Sequence, residues 1–330
     1  MTAQRVLVCT SDGQSAIFRM DPEHTRAALA RAPAGLPPIE FVFRDIDAPD
    51  FAEVLQDCIA LVGWMIPNET IRTVRGALRL IQLSGAGVDH LAPFDWLPPG
   101  VSLCNASTIH GPKLQEWSVM VLLMLHAQIP HFITAQRAQL WSKRHTSTIA
   151  GTTAMIFGTG GLGQAVARAA KSLGMITIGV RRTPGPATSF DAVIGQEEAE
   201  LRLGEADVVV LTLPLTAQTR GRADAAFFSR MKPEAGFVNF GRGGLVIEAD
   251  LIAALEARRL CGAVIDVTDP EPPPAGAPIW NAPRLVITPH VSCDDPATYV
   301  PDVLDLLLDN VGRLVEGRAL RNVIDLARAY

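Results

Sequence analysis

Residues 153–163 read Thr-Ala-Met-Ile-Phe-Gly-Thr-Gly-Gly-Leu-Gly, an apolar run from Ala154 to Phe157 that enters a turn with glycine at 158, 160 and 163. The spacing alone says little in a chain with 27 glycines. Its context decides the reading: Gln164 to Leu173 has the pattern of an amphipathic helix, and Met175 to Val180 is a second apolar strand, which together make one βαβ unit. A Gly-x-Gly-x-x-Gly turn there lets the backbone bend tightly, approach a pyrophosphate and aim helix N-terminal amides at it. Gly158, Gly160, Gly161, Leu162 and Gly163 are therefore expected to bind a dinucleotide.

The tip of the second strand selects the cofactor. A carboxylate about 20 residues past the glycines accepts from a free ribose 2'-hydroxyl, whereas arginine accommodates a 2'-phosphate. Here the strand runs into Arg181, Arg182 and Thr183. Two guanidiniums and a hydroxyl offer charge-assisted bonds to a phosphate dianion, so NADP is favoured. NAD stays possible through a carboxylate from elsewhere.

Composition narrows the class. With 330 residues and 48% hydrophobic content, the chain is long enough for two domains, and a net charge of -5 with both signs interspersed points to neither nucleic acid nor an anionic membrane. The nearly pure apolar stretch Val119–Leu125 is too short to span a bilayer, and the opening run to Cys9 reads as a first strand rather than a signal peptide. Cysteines 9, 58, 104, 261 and 293 have neither paired nor metal-ligand spacing. No metal is expected, and a reducing cytoplasm suits the chain.

Short strands at Arg5–Cys9, Ile39–Phe43, Ile59–Gly63, Leu80–Leu83 and Val101–Leu103 form a separate α/β unit ahead of the glycine turn. Helices are expected over Pro112–Ala127 and His131–Trp141, and again over Pro301–Glu316, where the chain returns to the first unit. The expected organisation is two Rossmann-like/flavodoxin-like parallel-sheet domains with a cleft between them: 1–105 plus 295–330 for substrate, 106–294 for the nucleotide.

Three apolar runs in the second domain end in polar residues: Phe237-Val-Asn-Phe-Gly-Arg242, Ala263-Val-Ile-Asp266 leading to Glu271, and Leu285-Val-Ile-Thr-Pro-His290. In an open parallel sheet, ligands bind outside the carboxyl ends of the strands. Alone, each of these residues could be an ion-pair member, a turn or a structural histidine. Together beside a dinucleotide, arginine, glutamate and histidine make a hydride-transfer site.

The chain resembles the D-2-hydroxyacid dehydrogenase family over essentially its whole length. The resemblance is carried by Gly158–Gly163, Asp207-Val-Val-Val-Leu-Thr-Leu-Pro-Leu-Thr216, Asn239-Phe-Gly-Arg-Gly-Gly244, Asp266-Val-Thr-Asp-Pro-Glu-Pro272 and Thr288-Pro-His290. It implies that Arg242 holds the substrate carboxylate and carbonyl, that His290 is the acid/base, and that Glu271 orients and charges the histidine. Asp266 would contact the nicotinamide carboxamide, and Leu213 and Pro214 would lie beside the adenosine. Ser84-Gly-Ala-Gly-Val-Asp-His90 resembles the loop whose amides bind the 2-oxoacid carboxylate, which assigns Ala86 and Gly87 to substrate. Trp64 matches a tryptophan that faces substrate in some glyoxylate and hydroxypyruvate reductases, with core packing as its other reading. One departure stands at the long helix, where Trp117 follows Glu116 in place of a common histidine.

The implied reaction is NADPH-dependent reduction of glyoxylate, hydroxypyruvate or a bulkier 2-oxoacid to the D-2-hydroxyacid. The segment from Trp117 to Trp141 matches a dimerisation arm, so a homodimer is expected. Formate dehydrogenases share the arginine and histidine but pair the latter with glutamine, against which Glu271 argues. A nucleotide-sensing corepressor of the same fold is the alternative from another class.

Overall fold

The computed structural model describes residues 3–11 and 15–328; Met1, Thr2, Ala329 and Tyr330, at the ends of the expected first domain, lie outside the described residues. The chain forms two compact units, Met1–His110 with Asp295–Tyr330, and Gly111–Asp294. The first break falls at the start of the long helix rather than at Asn105. Ala106 stays with the first unit because it is fully buried in that core and its N–H donates to the Gly85 carbonyl at 2.9 Å.

The first unit holds a five-stranded parallel sheet of β1 (Gln4–Thr10), β2 (Ile39–Asp45), β3 (Ala60–Gly63), β4 (Leu80–Leu83) and β5 (Ser102–Cys104), in the order β2-β1-β3-β4-β5. Alternate side chains of its central strands serve two cores. Val6, Val8, Val62 and Leu80 face one, and Leu7, Leu61, Ile81 and Leu83 the other. Covering helices make this two-sided burial possible. They are α1 (Pro22–Arg31), α2 (Phe51–Gln56), α3 (Asn68–Thr73) and the C-terminal helix Tyr299–Val315. Asp21 caps α1 by accepting from the N–H groups of Glu23 and His24. The C-terminal helix sinks Val300, Val303, Leu304, Leu307 and Val311 into the first core, each burial contributing roughly 1.5–3 kcal/mol.

The second unit opens with α4 (Gly111–His126) and α5 (Ile129–Arg137), then carries β6 (Thr153–Phe157), α6 (Gly161–Ser172), β7 (Ile176–Val180), β8 (Ala192–Ile194), α7 (Gln196–Arg202), β9 (Val208–Leu211), α8 (Ala225–Arg230), β10 (Ala235–Asn239), α9 (Glu248–Glu256), β11 (Leu260–Ile265) and β12 (Leu285–Ile287). Its seven parallel strands run β12-β11-β10-β9-β6-β7-β8. The order reverses between β6 and β9, which is where a doubly wound sheet leaves its ligand crevice. Among the described residues, no single helix is long and apolar enough to cross a membrane; α4 buries Leu114, Val121, Leu122 and Leu125 in the core it shares with α6.

Helix α5 stops at Arg137, short of the expected Trp141. Gln139 takes a left-handed φ of 56° and the Leu140 N–H returns to the Ala135 carbonyl at 2.9 Å, a backbone closure that no apolar periodicity announces. Helix α6 begins at Gly161, three residues before the expected Gln164. Its first turn is glycine-rich, which hides it from propensity.

Glycine is required in that turn at two places. Gly158 has φ of 105°, and a Cβ there would stand 2.5 Å from Thr212 Oγ1. A Cβ on Gly163 would lie within 1.9 Å of the Gly158 carbonyl oxygen, while one on Gly160 meets nothing within 4 Å. Gly163→Ala should therefore lower stability by about 1–3 kcal/mol, and Gly160→Ala should stay within about 0.5 kcal/mol of wild type. Denaturant midpoints measure both; an unshifted midpoint for Gly163→Ala would contradict the close approach.

Candidate active site

Because every strand of the second sheet is parallel, the residues that follow β6, β7, β9, β10, β11 and β12 gather on one edge. Gly158–Gly163 follow β6. Thr212 braces the turn from the neighbouring strand end, its hydroxyl donating to the Phe157 carbonyl at 3.0 Å. Gly160 caps α6 without a side-chain hydrogen bond, so the first amides of the helix have no capping oxygen from that residue. Open space over Gly160 and amides without a side-chain cap fit a pyrophosphate.

At the end of β7, Arg182 and Thr183 are exposed and Arg181 is half-buried. Arg181 Nε donates to the Thr183 carbonyl at 2.5 Å, which folds the tip back on itself. Leu213 and Pro214 are half-buried beyond β9, and the Leu213 carbonyl is 2.6 Å from where a Gly241 Cβ would stand.

Arg242 follows β10 in a turn organised by a residue the sequence reading passed over. Asn239 is fully buried; its Oδ1 accepts from the Gly241 N–H at 3.0 Å and its Nδ2 donates to the Arg242 carbonyl at 2.9 Å. A polar residue closing the apolar run Ala235–Val238 was the available signal.

The next two strand ends bring a histidine and a carboxylate together. His290 lies three residues beyond β12, with a left-handed φ of 54°. Its N–H donates to the Asp266 carbonyl at 2.8 Å and its Nδ1 pairs with Glu271 Oε1 at 2.7 Å. With Nδ1–H given to Glu271, Nε2 is the atom free to exchange a proton. The His290 and Glu271 side chains keep 47% and 43% of their surface exposed, so the pair is reachable.

Asp266 is the support. Only 2% exposed, its carboxylate accepts from Thr288 Oγ1 at 2.6 Å, the Val291 N–H at 3.1 Å and the Ser292 N–H at 3.0 Å. It clamps the loop on both sides of His290. Thr288 is the second residue the sequence reading missed. Burial pushes the nearby Cys293 thiol up to about 12, which makes it a poor nucleophile. Burial also raises the Asp294 carboxyl, against the opposing pull of His290.

In the first unit, Ala86 and Gly87 are half-buried and, among the described residues, their N–H groups donate to no protein acceptor. The loop is held from outside: Asn105 Nδ2 donates to the Ala86 carbonyl at 2.8 Å and Tyr299 Oη to the Ser84 carbonyl at 2.7 Å. Trp64 is half-buried. Its indole stacks on the His90 ring at 4.3 Å between centroids, and its benzo edge would stand 2.3 Å from a Cβ on Gly85. A cavity of about 280 Å³ opens elsewhere, at the leading ends of the second sheet's strands, lined by residues including His126, Asp207, Glu234 and Cys261. It has no part in the arrangement above.

The chain is 28% identical over 274 residues to glyoxylate/hydroxypyruvate reductase A of Photorhabdus laumondii, covering 81% of this chain and 86% of that one. A D-isomer specific 2-hydroxyacid dehydrogenase of Xanthobacter autotrophicus, solved in complex with NADPH and MES, superposes with a TM-score of 0.81 at 28% identity over 99% of this chain and 100% of that one. An NADPH-dependent glyoxylate/hydroxypyruvate reductase of Sinorhizobium meliloti, in complex with NADP and sulfate, gives 0.78 at 28% identity with the same coverage. Residues 119–292, more than half of the chain, match the NAD binding domain of the D-isomer specific 2-hydroxyacid dehydrogenases, and the protein belongs to that family of oxidoreductases.

Proposed function

We propose that the protein reduces a 2-oxoacid of the glyoxylate and hydroxypyruvate class to the D-2-hydroxyacid with NADPH. The observation that carries this reading is the 2.7 Å pair of His290 and Glu271 on the strand-end edge that also bears the glycine turn. When bound, the nicotinamide supplies hydride to the carbonyl carbon. His290 gives its Nε2 proton to the oxygen as charge develops there, and Glu271 keeps the ring oriented for that transfer. Arg242 polarises the carbonyl, and with the amides of Ala86 and Gly87 it holds the carboxylate. Trp64, gripped by Gly85 and His90, is a wall for the substrate side chain.

His290→Ala should lower kcat by about 10²–10⁴-fold and leave cofactor binding intact. In the wild type, the reductive rate should fall and the oxidative rate rise as pH climbs, since reduction consumes the protonated ring and oxidation the neutral one. A panel of 2-oxoacids followed by NADPH oxidation measures both. Near wild-type turnover in the variant would remove His290 from the mechanism.

NADPH over NADH rests on Arg181, Arg182 and Thr183. A charge-assisted bond to the 2'-phosphate contributes roughly 1.5–3 kcal/mol, and 1.4 kcal/mol is tenfold, so kcat/KM should favour NADPH by at least about tenfold. Arg182→Asp is the cleaner probe, because Arg181 also holds the loop through Thr183. It should narrow or invert the ratio; indifference to changes at both arginines would show a merely solvated strand end.

A homodimer belongs to the same reading. Met120 and Leu123 are 43% and 42% exposed on α4, and beyond α5 Leu140 and Trp141 are 65% and 91% exposed. Apolar surface of this kind along one continuous stretch suits burial against a second copy. The five free cysteines fit a reducing cytoplasm. Sedimentation at micromolar concentration should give the dimer mass, and a stable monomer would contradict it.

A further inference from the structure

The leading edge of the second sheet, opposite the strand ends just described, carries a charge imbalance that the reduction of a 2-oxoacid does not use. Glu234, Arg258 and Arg284 stand just ahead of β10, β11 and β12, all with left-handed φ, at 62°, 55° and 56°. Backbone bonds hold Glu234 to the turn ahead of β11 and Arg284 to β11 and α5. The Glu234 N–H donates to the Arg259 carbonyl and the Ala263 N–H to the Arg284 carbonyl, each at 3.0 Å, while the Arg284 N–H donates to Thr134 Oγ1 at 2.8 Å.

Arg284 is the anomaly. The residue is only 9% exposed, and its Nε and one terminal guanidinium nitrogen are buried with no hydrogen-bond partner. Guanidinium is always charged, and leaving it buried and unpaired is costly. The acids nearby do not answer it. Glu234 Oε1 is taken by Arg144 at 3.0 Å, and among the described residues exposed Arg258 has no acid partner. Arg259 is spent on the carbonyls of Ser229 and Met231.

Three guanidiniums therefore share one carboxylate. Burial first, then the like charges of Arg258 and Arg144, hold Arg284 below its ordinary range. His131, bonded to Ser142 Oγ at 2.9 Å, is held below the usual histidine range by burial and the same three arginines, so it adds no charge.

We propose that Arg284, with Arg258 and Arg144, forms a binding site for a small oxyanion of the phosphate class at the leading edge of the second sheet. Buried N–H donors on a planar guanidinium match the paired oxygens of such an ion, and the exposed Arg258 adds charge from the solvent side. The site is separate from the nucleotide edge, because the two lie at opposite ends of the same strands.

Thermal unfolding with inorganic phosphate against chloride, at matched ionic strength, tests this. Wild type should gain about 2 °C or more in Tm. Arg284→Met, which keeps the nucleotide turn and His290, should lose most of that gain, and Arg258→Ala should lose part of it. An equal phosphate response in wild type and Arg284→Met, or none in wild type, overturns the proposal. A Tm that rises with protein concentration and ignores phosphate also overturns it, by assigning the missing acid to a second copy. If Arg284→Met fails to fold, exposed Arg258 decides: an undiminished response in Arg258→Ala sinks the site.

Discussion

The second unit depends on one close approach, the Gly158 carbonyl lying where a Cβ of Gly163 would be. That contact lets β6 turn directly into α6 with almost no connecting chain, so the helix starts at the strand end and its N-terminal amides face the crevice. Thr212 fills the remaining side of the turn, reaching the Phe157 carbonyl from the end of β9. The order of the sheet reverses between those same two strands. A single steric allowance thus places the nucleotide turn at the point where the topology leaves room for a ligand.

The His290–Glu271 pair follows a different logic. His290 is held in a left-handed conformation, a strain of about 1–3 kcal/mol for a residue other than glycine. The Asp266 carboxylate, buried and accepting three bonds from Thr288, Val291 and Ser292, offsets it, since each bond to a charged group contributes roughly 1.5–3 kcal/mol. Its backbone carbonyl takes the His290 N–H as well. The rigid, buried part of the loop is therefore Asp266, while Glu271 and the imidazole stay exposed. Support of the loop and contact with the imidazole are divided between two carboxylates that sit five positions apart in the chain.

The two edges of the second sheet contrast in how they treat charge. On the trailing edge, the chain itself satisfies the buried Asp266 carboxylate with a hydroxyl and two amides, and organises the Arg242 turn through Asn239. On the leading edge, Arg284 is buried against like charges with one shared acid. Folding alone does not pay for such a group.

Much of this was legible in the sequence. The apolar runs that became β1 to β7 and β10 to β12 could be read because parallel strands buried on both faces need near-continuous hydrophobic side chains, as at Ala263–Ile265, whereas β9 was met only inside a motif. The turn at Gly158–Gly163 could be read because its glycines are demanded by local geometry, and Arg242, Asp266, Glu271 and His290 because each interrupts an apolar rhythm at a strand end. Other features left no local trace. The end of α5 depends on a left-handed Gln139, and the early start of α6 on glycines that a helix tolerates only at its first turn. Asn239 and Thr288 gained their roles from backbone groups brought to them by neighbouring turns, Asn105 and Tyr299 from the carbonyls of the Ser84–Ala86 loop, and Arg284 from Arg144, far away in the chain. Sequence by itself determined the elements and the residue types at their ends, because periodicity and backbone sterics act over a few residues. Only the tertiary structure decided which polar groups are paired, strained or left over, because hydrogen bonds and buried charge are settled between residues that the chain holds far apart.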